Sequence, residues 1–174
     1  MASRSLSVRD ALRNTGFAGA CVVFAIWLAA SGAHTQGASP FTKLAGEWAG
    51  RGTIELANGT HEAIKCRASY DVLEEKSNLQ LSFRCASDSY NFDMHASATL
   101  ASNVISGSWS EVSRNVAGKI SGTAEGERID VVANSSAFTA SLALTTRGDK
   151  QSVVIKSKEA NATVKGATIS LQRS

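Results

Sequence analysis

The chain has 174 residues, with 18 Lys+Arg against 15 Asp+Glu and a formal net charge of +3. That length serves one domain with a real hydrophobic core. No basic cluster falls on a single element, so nucleic acid is set aside as a partner.

The first 33 residues read as an export leader rather than as part of the domain. Arg4, Arg9 and Arg13 precede a 15-residue apolar run over 16–30, and Ser31 and Ala33 put small side chains at the −3 and −1 positions of a cut after Ala33. This is the layout of a secretory signal peptide. A membrane anchor is the competing reading, but spanning a bilayer takes about 20 apolar residues. A lipid-bearing cysteine follows the apolar run, whereas Cys21 sits early in it. The expectation is a periplasmic or secreted protein with no stable membrane insertion after cleavage. Cleavage leaves 141 residues with 15 basic and 14 acidic side chains, so the basicity belongs mostly to the leader. Two cysteines remain, Cys66 and Cys85. An even count in an oxidising compartment implies one disulfide, with two buried thiols as the alternative.

Residues 34–40 form a polar spacer, and 41–174 carry a single domain. Phe41-Thr42-Lys43-Leu44-Ala45, after Pro40, suits one helical turn. From there the pattern has period two, the mark of half-buried strands. Trp48, Gly50, Gly52, Ile54 and Leu56 share one face, and Glu47, Arg51, Thr53 and Glu55 the other. Asn58-Gly59 is a hairpin signal that needs a three-residue loop to keep the faces in phase. Ile64, Cys66, Ala68, Tyr70 and Val72 continue the apolar face.

Register follows from requiring same-face residues to pair. A turn at Glu75-Lys76 pairs Val72 with Leu79, Tyr70 with Leu81, Ala68 with Phe83 and Cys66 with Cys85. The two thiols then lie directly opposite, close enough for a bridge. A Ser87-Asp88 turn pairs Phe83 with Phe92 and Leu81 with Met94. An Ala101-Ser102 turn pairs Met94 with Trp109 and Ala96 with Gly107. Arg114-Asn115 pairs Trp109 with Ile120, Glu125-Gly126 pairs Gly122 with Ile129, and Ser135-Ser136 pairs Ala133 with Phe138. Gly148-Asp149 pairs Leu144 with Val153 and Leu142 with Ile155. The last strand changes phase at Gly166, which marks a bulge.

This predicts an all-β chain, an up-and-down antiparallel meander of about ten strands closing into a barrel to remove its edges. A β-sandwich is the alternative. The shared apolar face carries Trp48, Tyr70, Phe83, Tyr90, Phe92, Met94, Trp109 and Phe138, while charges such as Arg51, Lys65, Arg67 and Asp71 take the other. A lipid-embedded barrel needs the reverse, so the apolar face points inward. The inward small residues, among them Gly50, Gly52, Ala68, Ala96, Gly107 and Gly122, admit two readings. They let the strands coil, with aromatics filling the space, or they leave a cavity lined by aromatics.

Phe41-x-x-Leu44-x-Gly46-x-Trp48 resembles the opening of lipocalin-type (calycin) barrels, and the extended Leu44-x-Gly46-x-Trp48-x-Gly50-x-Gly52 resembles that of nitrobindin-like ten-stranded barrels. The resemblance implies that a helical turn closes one end of the barrel, that Trp48 packs beneath the floor and that Arg173 packs over it. These are structural roles. It also implies an apolar small-molecule ligand, or in some related barrels inhibition of secreted proteases. Nitrobindin-like proteins hold haem through a late histidine. Here His34, His61 and His95 are the histidines, and none follows residue 95, so haem is not expected.

The functional expectation is an exported barrel binding an apolar small molecule among Tyr70, Phe83, Phe92, Met94 and Trp109. The alternative is a non-enzymatic interaction protein with a filled core, such as an inhibitor of an exported enzyme. No metal-ligand spacing and no Gly-x-Ser-x-Gly motif is present, and neither enzymatic activity, a cofactor nor a metal is expected. Glu111 and Arg114 flank a turn near the barrel mouth. Glu62 falls in phase with the inward face, where an unpaired carboxylate would be costly.

Overall fold

The structure, a computed structural model, describes residues 39–73 and 77–174. The leader over 1–33, with Cys21, and the spacer residues 34–38 lie outside the described residues. The first element is a four-residue 3-10 helix, Pro40–Lys43. Pro40 suits a first helical position because its missing N–H would have no partner there, and the Ser39 hydroxyl accepts from the Phe41 N–H.

Ten strands follow: β1 (Gly46–Leu56), β2 (His61–Leu73), β3 (Asn78–Ala86), β4 (Asn91–Ala101), β5 (Val104–Glu111), β6 (Val116–Glu125), β7 (Arg128–Asn134), β8 (Thr139–Arg147), β9 (Lys150–Ser157) and β10 (Val164–Arg173). Each pairs antiparallel with its neighbour in sequence, and β1 pairs with β10, so the sheet is a closed barrel. Closure leaves neither edge unpaired. Period two is visible in burial: Ile54, Ile64, Cys66, Ala68 and Tyr70 are buried, while Arg51, Glu55, Lys65, Arg67 and Asp71 are exposed. The apolar face is therefore the inside. No helix among the described residues is long and apolar enough to cross a membrane.

The β2–β3 hairpin has the expected register: Cys66 lies opposite Cys85, Ala68 opposite Phe83, Tyr70 opposite Leu81 and Val72 opposite Leu79. Cys66 and Cys85 form a disulfide with a Cα separation of 4.1 Å. β8–β9 pairs Leu144 with Val153 and Leu142 with Ile155. β1 and β2 join through the three residues Ala57, Asn58 and Gly59, closed by Leu56 N–H donating to the Thr60 carbonyl. The bulge in β10 sits beside Gly166, where the partner changes from Glu55 to Leu56 across Lys165.

Five hairpins turn elsewhere than expected. Phe83 faces Met94, and Cys85 faces Phe92. Trp109 faces Ala96 and Gly118 rather than Met94 and Ile120. Gly122 faces Val131, and Ala133 faces Ala140. The cause is turn chemistry. At Ser87–Tyr90 a four-residue loop replaces a two-residue one, with the Tyr90 N–H bonded to the Ser87 hydroxyl at 3.0 Å. Ser102, at φ 49°, and Gly126, at φ 60°, take the left-handed positions of two-residue turns. Phe138 falls in the β7–β8 loop rather than on a strand. Each shift moves a partner by two positions, so every side chain keeps its face.

The inward glycines serve strand coiling. A Cβ at Gly52 would fall on the Thr168 carbonyl oxygen and lie 2.7 Å from the Ile169 Cα. One at Gly107 would likewise fall on the Ser97 carbonyl oxygen.

The disulfide spans 19 positions. Chain entropy then predicts that replacing Cys66 and Cys85 together by alanine lowers unfolding stability by about 3 kcal/mol. Urea denaturation of the double variant beside the oxidised parent measures this, and equal midpoints would show that the bridge is energetically idle.

Candidate functional site

The barrel has a sealed end. Phe41 and Leu44, on the short helix and just after it, are buried against the strands at 1% and 2% exposure. The Trp48 indole N–H donates to the Leu44 carbonyl at 2.7 Å. The Arg173 guanidinium lies 4.2 Å from the centre of the Trp48 ring. Its Nη2 donates to the Lys43 carbonyl at 2.8 Å, its Nη1 to the Ala45 carbonyl, and its Nε to Asp149 at 3.1 Å. One side chain thereby caps the helix end, stacks on the indole and fixes the plug to the last strand.

Above this floor lies a cavity of about 90 Å³. Phe41, Leu44 and Tyr70 bound it below, and Phe83, Met94, Ala96 and Leu142 line its walls. Of the residues expected to hold a ligand, the structure brings together Tyr70, Phe83 and Met94. Phe92 and Trp109 are not part of the lining. Trp109 is buried and stacks edge-on against Phe138, with ring centres 6.1 Å apart. Its indole N–H has no hydrogen-bond partner among the described residues. Phe92 lies under the Arg114 guanidinium at 5.0 Å, nearer the opposite end of the barrel.

Two residues that the sequence reading left out complete the polar part of the site. The Tyr70 hydroxyl donates to Gln151 Oε1 at 2.9 Å, and Gln151 Nε2 donates to Thr146 Oγ1 at 3.2 Å. All three side chains are buried. The signal was available: Thr146 and Gln151 are in phase with Leu144 and Val153 on the inward face, and a buried polar side chain there requires a partner. Burial pushes the Tyr70 phenol far above its ordinary value of 10.0.

The carboxylates sit away from the cavity. Glu62 accepts from the Ser87 and Ser89 hydroxyls, each at 2.7 Å, and these bonds hold its carboxyl below the usual range. Glu111, the last residue of β5, is buried beside the β5–β6 turn. Burial pushes its carboxyl up, but the N–H groups of Asp93 and Arg114, helped by Ser113 and the Arg114 charge, bring it below the usual range. Both are satisfied turn anchors. His61 and His95 are exposed on the outer face. No group of three or more metal-binding side chains occurs among the described residues.

The sequence matches no family model and no curated relative. Among solved structures the barrel is similar to Rv2717c from M. tuberculosis, with a TM-score of 0.62 and 12% identity over 76% of this chain and 94% of that one. It is also similar to the S-type phycobiliprotein lyase CPES from Guillardia theta, with a TM-score of 0.57 and 10% identity over 77% of this chain and 90% of that one. The shared feature is the fold, which in this chain is a closed ten-stranded antiparallel barrel. At these identities the likeness is one of fold.

Two outcomes follow from the site. Arg173→Ala removes the stacking and the carbonyl caps together and should cost about 1–3 kcal/mol by thermal or urea unfolding. Arg173→Lys should recover less than half of that, because a lysine cannot form the fork. The second outcome concerns pH. Above the ordinary tyrosine value the unfolded chain releases the Tyr70 proton while the folded chain keeps it. Stability therefore falls as pH rises through that window, by up to about 1.4 kcal/mol per unit. Tyr70→Phe should lose less stability than the parent between about pH 10 and 11, and parallel profiles would contradict the shift.

Proposed function

We propose that the chain is an exported, soluble barrel that binds a small apolar molecule in its interior and does no chemistry on it. The observation that carries this reading is the cavity of about 90 Å³ between the Phe41–Leu44 floor and the Met94 level of the wall. It lies inside a barrel whose charges face outward. Apolar pockets with a few placed polar groups are the usual small-molecule sites. The space is smaller than the engineered apolar cavities of about 150 Å³ that take up benzene, so a short alkyl chain fits it more readily and a single ring enters only as the lining side chains move apart.

Export is supported by the leader and by the Cys66–Cys85 disulfide, since such bonds persist in oxidising compartments. The location is periplasmic or secreted. The lining is apolar apart from the Tyr70 hydroxyl, which is already bonded to Gln151, and this lining favours binding over catalysis. One of the fold neighbours is a lyase, but 10% identity carries no activity across. The nitrobindin-like form of the barrel is supported by its ten strands and by the Gly46-x-Trp48-x-Gly50-x-Gly52 opening. Haem is not part of the proposal, because no histidine follows His95 to match the late one that holds it in nitrobindin-like proteins.

Native mass spectrometry of protein purified from its own host should show a retained organic mass. Toluene added to ligand-free protein should shift the methyl resonances of Leu142 and Met94 saturably. Ala98→Leu, which places side-chain volume into the cavity wall, should weaken toluene binding at least tenfold. Absence of both the retained mass and saturable toluene binding would sink the proposal in favour of an interaction protein with a filled core.

A further inference from the structure

Among the described residues lining the barrel cavity, Tyr70 alone has a hydroxyl, amide or charged group in its side chain. That hydroxyl is already committed as a donor to Gln151 Oε1, and the Gln151 amide is oriented by its own donation to Thr146. An amide end carries one acceptor and one donor group, so the chain of bonds has a direction. The phenol oxygen keeps a free acceptor position and has no second proton to give. Gln151 and Thr146 are not part of the lining, so Tyr70 is the lining residue whose side chain can hydrogen-bond a ligand. Among the described residues no lysine, arginine or histidine lines the cavity.

The consequence for a ligand is a sorting by chemistry. A neutral group with an O–H or N–H finds an acceptor at Tyr70. An ether or ketone oxygen finds no donor and is desolvated without return. A carboxylate loses its hydration and finds neither a donor nor a cation, which is the costliest of the three. We propose that the cavity selects an uncharged apolar molecule bearing one hydrogen-bond donor, held by the Tyr70 oxygen, and rejects anionic ligands such as fatty-acid carboxylates. This rests on the small-molecule reading given above.

Phenol, anisole, toluene and benzoate share one ring and differ in what they offer to Tyr70. Their affinities are read by ligand titration with NMR or calorimetry on the protein purified from its own host and freed of ligand. Tyr70→Phe should weaken phenol about tenfold and leave toluene within about twofold, the worth of one hydrogen bond. Benzoate should show no saturable binding at concentrations that saturate phenol. Failure of toluene to bind, together with the absence of a retained mass, overturns the binding reading itself. Toluene binding together with phenol affinity indifferent to Tyr70→Phe, or with saturable benzoate binding, overturns the donor selection alone. Should Tyr70→Phe not fold, the unmodified protein decides: phenol must bind at least about fivefold tighter than anisole, and equal affinities overturn the proposal.

Discussion

The pairing of β1 with β10 is the constraint on which the rest of this protein depends. Trp48 lies directly opposite Arg173 across that seam. Their contact does three things at once: it closes the sheet, anchors the short helix beneath it and puts a lid on one end of the interior. Without the seam, the sheet would present two unpaired edges and the floor would have nothing to rest on. The cavity is then defined by what the closed end excludes. Phe41 and Leu44 shut the bottom of the interior.

Much of this architecture was legible because alternation is a robust signal. Which residues face inward could be read from Trp48 to Leu171, and the Cys66–Cys85 hairpin supplied a second, independent constraint on register. Where only the apolar pattern was available, register slipped. Period two fixes a residue's face but cannot distinguish a partner from the next one along the same face. The turns decide that, and the four-residue loops at Ser87–Tyr90, Val112–Asn115 and Ser135–Phe138 carry no Gly dipeptide that would announce their length. The slip explains the mixed result at the site. Tyr70, Phe83 and Met94 were placed together, while Trp109 and Phe92, on the same face, belong to a separate layer nearer the open end. Gln151 and Thr146 carry no aromatic ring to mark them, and only their inward phase together with their polarity points to the site.

Polar groups inside the barrel are divided by height. Near the open end Glu62 and Glu111 are each surrounded by hydroxyl or backbone donors, and their charge is consumed in fastening turns. At the floor a neutral chain of Tyr70, Gln151 and Thr146 ties β2, β9 and β8 together across the interior. Between the two lies a wall of aliphatic and aromatic side chains. The glycines do not contribute open space to it, since at Gly52 and Gly107 a neighbouring strand already occupies the position a side chain would take. Space comes instead from Ala96 and Ala98 on β4.

The seam also sets an order of assembly. Nine of the ten strand pairings join neighbours in sequence and can form as local hairpins, one after another. The tenth joins the first strand to the last, and loop closure of that length is the slowest step available to such a chain. Until β10 arrives, β1 has a bare edge along its whole length, and Trp48 has no guanidinium above it. A ribosome-bound or truncated chain lacking the last strand is therefore a nearly complete sheet with two sticky margins, a species that chaperones must shield and that its own copies can pair with.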